Sequence, residues 1–141
     1  MNRLSLLAAA AAALLLSGCV DRAAADAQLA KGCEAGVNAL LTDDMKITRV
    51  DSSSFSASPE GQGFRHVSLK ALITDGWAEE NREFVCIFEE SFGFLNASHT
   101  AALYQLRLSP EEIYGKSGKE ILGDTQAFIK LNDAIREAMY Q

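Results

Sequence analysis

Positive charge is scarce in this chain: 13 Lys and Arg stand against 19 Asp and Glu, a net charge of −6 at pH 7. Affinity for DNA or RNA rests on cations that neutralise phosphates, so no nucleic-acid partner is expected. The same acidity disfavours adsorption to anionic membrane surfaces, so membrane residence would need a covalent anchor. Histidine is scarcer still. His66 and His99 stand apart with no CxxC or HxxxH spacing, so neither a metal site nor a cofactor is expected. The chain also lacks a GxSxG elbow and a Cys–His signature, which leaves no nucleophile to nominate. Gly115-Lys116-Ser117 superficially suggests a phosphate loop, but the glycine required five positions earlier is Pro110, which has no N–H to offer. No internal repeat follows the first 18 residues, and the length suits one small domain.

What is present begins at the N-terminus. Met1-Asn2-Arg3 is a short positive segment, and residues 6–16 are an unbroken run of Leu and Ala. As a helix that run would be roughly 16 Å long against a hydrocarbon core of about 30 Å, too short to span a bilayer. It has the anatomy of an export signal and ends in Leu16-Ser17-Gly18-Cys19. This ending resembles the lipobox of bacterial lipoproteins: an aliphatic residue, two small residues and an obligatory cysteine. The resemblance implies cleavage before Cys19, a diacylglycerol on its thiol and acylation of the new amino terminus. More than one acyl chain makes a stable anchor, since each buried CH₂ adds ~0.8 kcal/mol. The next residue is Val20 and not the Asp that retains many such proteins in the inner membrane, which points to the outer membrane, facing the periplasm. Loss of the first 18 residues, whose one charge is Arg3, takes the net charge to −7. The expected organisation is a signal peptide over residues 1–18, an acylated cysteine with a short tether over 19–25, and a single domain over 26–141.

With Cys19 assigned to lipid, Cys33 and Cys86 remain as an even pair in an oxidising compartment, which reads as one disulfide. The patterning agrees. Leu29, Cys33, Val37, Leu40 and Leu41 recur at the helical period over residues 26–41, so Cys33 faces a core. A short strand is expected over residues 45–50, decaying into Ser52-Ser53-Ser54. A clear alternation of Val67, Leu69, Ala71 and Ile73 marks a second strand. From Phe84 the even positions read Phe84, Cys86, Phe88, Glu90, Phe92, Phe94, one almost wholly aromatic face with Cys86 on it. Ala102, Tyr104, Leu106 and Leu108 alternate as a fourth strand after a loop containing His99. Ser109-Pro110-Glu111-Glu112 has the order of a helix start, stopped by Gly115 and Gly118. Asp124 can cap a last helix carrying Phe128, Leu131, Ile135 and Ala138. The expected fold is α+β: an N-terminal helix, a four-stranded antiparallel meander and a C-terminal helix, with both helices on one face of the sheet.

The paired acids Asp43-Asp44, Glu79-Glu80, Glu89-Glu90 and Glu111-Glu112 read as solvated turn and helix-end residues, because neighbouring carboxylates on a strand point to opposite faces. Glu90 is the exception, interrupting the aromatic face. It is either wet at a strand end or buried with a partner such as Arg65, Lys70 or Arg107. His66, opposite in phase to Val67 and Leu69, reads as a solvent-facing sheet histidine, with a binding or pH-sensing role as the alternative. Trp77, near a turn, either anchors an interface or closes the open end of the sheet. The favoured function is a non-enzymatic binding or assembly module of the cell envelope, its partner an envelope protein or the cell wall. The alternatives are a small periplasmic hydrolase with a carboxylate or histidine site and a small-molecule carrier with a cavity between sheet and helices.

Overall fold

The computed structural model describes residues 20–141; the expected signal peptide and Cys19 lie outside the described residues. Helix α1 (Arg22–Leu40) leads into strands β1 (Lys46–Ala57), β2 (Phe64–Thr74), β3 (Glu79–Phe92), β4 (His99–Arg107), β5 (Ile113–Ser117) and β6 (Glu120–Leu122), and helix α2 (Thr125–Tyr140) closes the chain. The strands form one antiparallel sheet in sequential order. The α+β class is as expected, with six strands in place of four.

Helix α1 starts four residues before the expected position. Asp21 caps it by accepting from the Ala23 amide, and Ala23, Ala24 and Ala25 are the strongest helix formers available. Residues 22–25, expected as part of a tether, therefore form its first turn. Ala25, Leu29, Cys33 and Val37 fill one buried stripe. Gly32 and Gly36 lie on the flank towards α2, where an added Cβ would come within 2.7 Å of Met139 Sδ and 2.8 Å of Ile135 Cδ1. Only glycine lets the two helices approach so closely. From α2, whose N-cap Asp124 accepts from the Ala127 amide, Leu131, Ile135 and Met139 complete the contact.

On the sheet, Val67, Leu69, Ala71 and Ile73 of β2 and Phe84, Cys86 and Phe88 of β3 share the core with both helices. Cys33 and Cys86 are joined by a disulfide, their Cα atoms 5.8 Å apart. The crosslink fastens the middle of α1 to the middle of β3. Three expectations fail along the later strands. The aromatic face ends early, because β3 stops at Phe92 and Gly93 opens a tight turn, so Phe92 and Phe94 leave the core. In β4 a bulge at the β3 pairing slips the phase, and Leu103 with Leu106 points inward while Tyr104 packs edge-on against Phe64 on the other face. The expected helix start at Ser109 is a turn: its Oγ accepts from the Glu111 and Glu112 amides, but the chain then pairs with β4 and returns as the β5–β6 hairpin.

Strand β1 is longer than expected, because the ladder to β2 carries it through the serines in register to Ala57. It is an edge strand with two irregularities, between Ile47 and Arg49 and between Val50 and Ser52, and is unbroken from Ser52 onward.

Removing the crosslink is the most direct check of this architecture. A loop of 53 residues is worth about 4 kcal/mol in the chain-entropy model. Denaturant unfolding of the Cys33→Ala/Cys86→Ala double variant should show a loss of that order. Phe88→Ala, which opens a void beneath α1, should cost ~3–5 kcal/mol by the same measurement.

Candidate functional site

Two places in the fold concentrate chemistry, and they lie at opposite ends of the sheet. Arg65 at the start of β2 marks one and Thr74 at its end the other, about 30 Å apart at the usual rise of a strand.

At the Arg65 end, charged side chains from four elements converge under the first turn of α1. Glu90 accepts from Arg22 through both oxygens, at 2.8 and 3.0 Å, and its Oε1 also lies 2.8 Å from His99 Nε2. Asp26 receives Arg65 in a bidentate contact, at 3.0 and 2.7 Å, and Arg22 at 2.5 Å. Gln28 donates to the Met139 carbonyl, which orients its Oε1 towards His99 Nδ1 at 3.2 Å. Each nitrogen of the His99 ring thus faces a side-chain oxygen, Nδ1 that of Gln28 and Nε2 that of Glu90. The hydrogen bond to Glu90 raises the Arg22 guanidinium above its ordinary pKa, against the opposing effect of partial burial.

This cluster resolves the question of Glu90. The residue is buried with a partner, but the partners are Arg22 and His99 and not Arg65, Lys70 or Arg107. His99, expected in a loop, opens β4 and is buried. Burial also limits what the group can do. The Glu90 and His99 side chains are only 8% and 2% exposed, so the pair is closed to a substrate and acts as a clamp between α1 and the sheet. Among the described residues no three His, Cys, Asp or Glu side chains gather as a metal site.

At the other end, Trp77 occupies the turn between β2 and β3 and is 99% exposed. Such exposure excludes the closing of the sheet as its role. The turn beneath it is well ordered. Asp75 Oδ1 accepts from the Trp77 amide at 2.9 Å and the Ala78 amide at 2.8 Å, Thr74 Oγ1 accepts from the Gly76 amide, and Asp75 donates its own amide to the Ala78 carbonyl. Gly76 sits at φ +91°, which its neighbours' side chains could not adopt cheaply. These bonds fix the backbone that carries the indole, and the Asp75 carboxyl is held below its ordinary pKa chiefly by the Ala78 amide and then by that of Trp77. Around it stand the exposed acids Glu79 and Glu80, with Lys46 opposite Thr74 in the ladder.

His66 is elsewhere. It lies half-buried on the face away from the helices, opposite Ile87, and joins neither cluster. The space between sheet and helices is filled by Leu29, Val37, Phe84, Phe88, Leu106 and Leu131, all fully buried. A groove of about 530 Å³ runs between the exposed flanks of the helices, lined by Lys31, Glu34, Asn38 and Glu137 among others, and it is open to solvent. No described helix is long and apolar enough to cross a membrane. Comparison of the chain with protein-family models, curated proteins and solved structures found no match.

Two measurements separate the roles of these clusters. Glu90→Ala strips Arg22 and buried His99 of their shared acceptor and should lower stability by about 3 kcal/mol, the low end for a broken buried pair because Arg22 is partly hydrated. Trp77→Ala should stay within about 0.5 kcal/mol of the parent. The Asp75 turn should also respond to pH. Its carboxyl is depressed below the ordinary value of 3.8, so the turn is intact above that value and loosens as pH falls through the folded-state pKa. Amide proton shifts of Trp77 and Ala78, followed by NMR, should titrate together with a midpoint below 3.8.

Proposed function

We propose that this protein is a lipid-anchored component of the bacterial cell envelope, held in the outer membrane by acylated Cys19 and facing the periplasm. There it acts as a non-enzymatic binding or assembly module. The observation that carries the reading is the Trp77 turn: an indole almost wholly in water, on a backbone that three side-chain hydrogen bonds hold in place, at the opposite end of the sheet from Val20, the first described residue. A large apolar side chain displayed at little entropic cost is what the centre of a protein interface uses. The partner has a slot for the indole and basic groups at its rim to meet Asp75, Glu79 and Glu80. An envelope protein fits that description better than a glycan strand.

The burial of the Glu90–His99 pair weighs against the hydrolase alternative, and the packed sheet–helix interior weighs against the carrier. A photoreactive amino acid placed at position 77 in intact cells should yield one dominant crosslinked protein, whereas the same group at Ile121, also exposed, should not. No adduct, or the same adducts from both positions, would sink the interaction reading. The anchor has its own check, since Cys19→Ala should release the protein from the membrane fraction.

A further inference from the structure

We propose that the turn after β3, led by Phe94 with Phe92 beside it, is a membrane-contacting loop that enters the lipid interface next to the acyl anchor. The inference rests on the assignment of Cys19 as the lipidated residue. It starts from one hydrogen bond. The Val20 amide donates to the Asn96 carbonyl at 2.7 Å, so the chain entering α1 is held against this turn. Cys19 is joined to Val20 by a single peptide bond, so its Cα lies ~3.8 Å from that of Val20. The acyl chains would thus leave the protein beside the turn and not from the end of a flexible stalk.

The turn has the composition and the shape for that position. Phe94 is 87% exposed and Phe92 37%. Residues 91–98 contain no charged side chain, which suits burial among headgroups and upper acyl carbons. The backbone is closed by three hydrogen bonds, Gly93 to Ser98, Asn96 to Gly93 and Ala97 to Phe94, donor first in each. Leu95 and Asn96 both adopt left-handed backbone, at φ 52° and 57°. Non-glycine residues adopt that conformation at a cost of order 1 kcal/mol each, and here it presents Phe94 outward.

Charge decides between lipid and a protein partner for this loop. The other large exposed aromatic, Trp77, is flanked by Asp75, Glu79 and Glu80, which would be expelled from a bilayer, whereas the Phe94 turn carries nothing that a bilayer would reject. Arg22, whose guanidinium lies 5.4 Å above the Phe92 ring, is already matched by Glu90 and Asp26, so insertion does not depend on anionic lipid.

The test uses the acylated protein in vesicles of phosphatidylethanolamine and phosphatidylglycerol. With Trp77→Phe as background, Phe94→Trp supplies the only indole. Its emission should be blue-shifted and should lose most of its intensity when the lipids are brominated in the upper acyl chain. The Ile121→Trp control should stay water-like. Vesicles of phosphatidylcholine alone should give the same result. Water-like emission from F94W in a protein whose Cys19 is acylated by mass spectrometry overturns this inference and leaves the anchor standing. Protection of F94W in native envelopes but not in vesicles would assign the loop to a protein and overturn it too. An unmodified Cys19 thiol in the mature protein removes both readings together.

Discussion

The Cys33–Cys86 crosslink is the constraint on which the placement of α1 depends. Apart from Asp26, the helix buries a thin stripe, largely of small residues: Ala25, Gly32, Cys33, Gly36 and Val37, with Leu29 the one large apolar side chain fully buried. Apolar burial at about 25 cal/mol per Å² gives such a face little hold on a sheet. The covalent bond at the helix centre supplies what the side chains do not. With the centre fixed, the first turn needs only a local contact to settle, and the Arg22, Asp26, Arg65, Glu90 and His99 network provides it. The small residues that weaken the hold on the sheet are also what permits α2 to approach. Chain economy and crosslinking are two sides of one arrangement.

How much of this was legible follows from how local each signal is. The helical stripe around Cys33, the alternation of β2, the aromatic inward face up to Phe88 and the cap at Asp124 are all patterns within one element, and all were readable. The disulfide was readable because two cysteines fell on inward faces. The β5–β6 hairpin was not, since Ser109 caps a turn as well as a helix, and the pairing with β4 that decides the matter is made by distant residues. The bulge opposite Ile87 was invisible for the same reason. Glu90 announced itself by interrupting an apolar face. Its partner did not, because Arg22 lay in a stretch read as tether, although Asp21 followed by Arg22 and three alanines is itself a helix-start signal.

The sites divide along the same line. Trp77 was legible as an aromatic near a turn, but the choice between anchoring and closing the sheet required its exposure. Phe94 was assigned to the core by its phase, and Gly93 undid that. On the proposed reading the two aromatics face different media. The Trp77 turn is flanked by acids and points its indole into water, whereas the turn after β3 carries no charge of its own over residues 91–98 and lies beside Val20, the neighbour of the residue proposed to be lipidated.

The edge formed by β1 has a consequence of another kind. From Ser52 to Ala57 the strand runs without irregularity, and among the described residues its outer side pairs with no other strand, a template on which another extended chain could add. Neither a charge nor a proline interrupts that stretch; four of its six side chains are serine. Solubility there is a property of composition alone. Replacing Ser52 and Ser54 with valine would leave the native fold nearly untouched and turn the border of the sheet into a seed for aggregation.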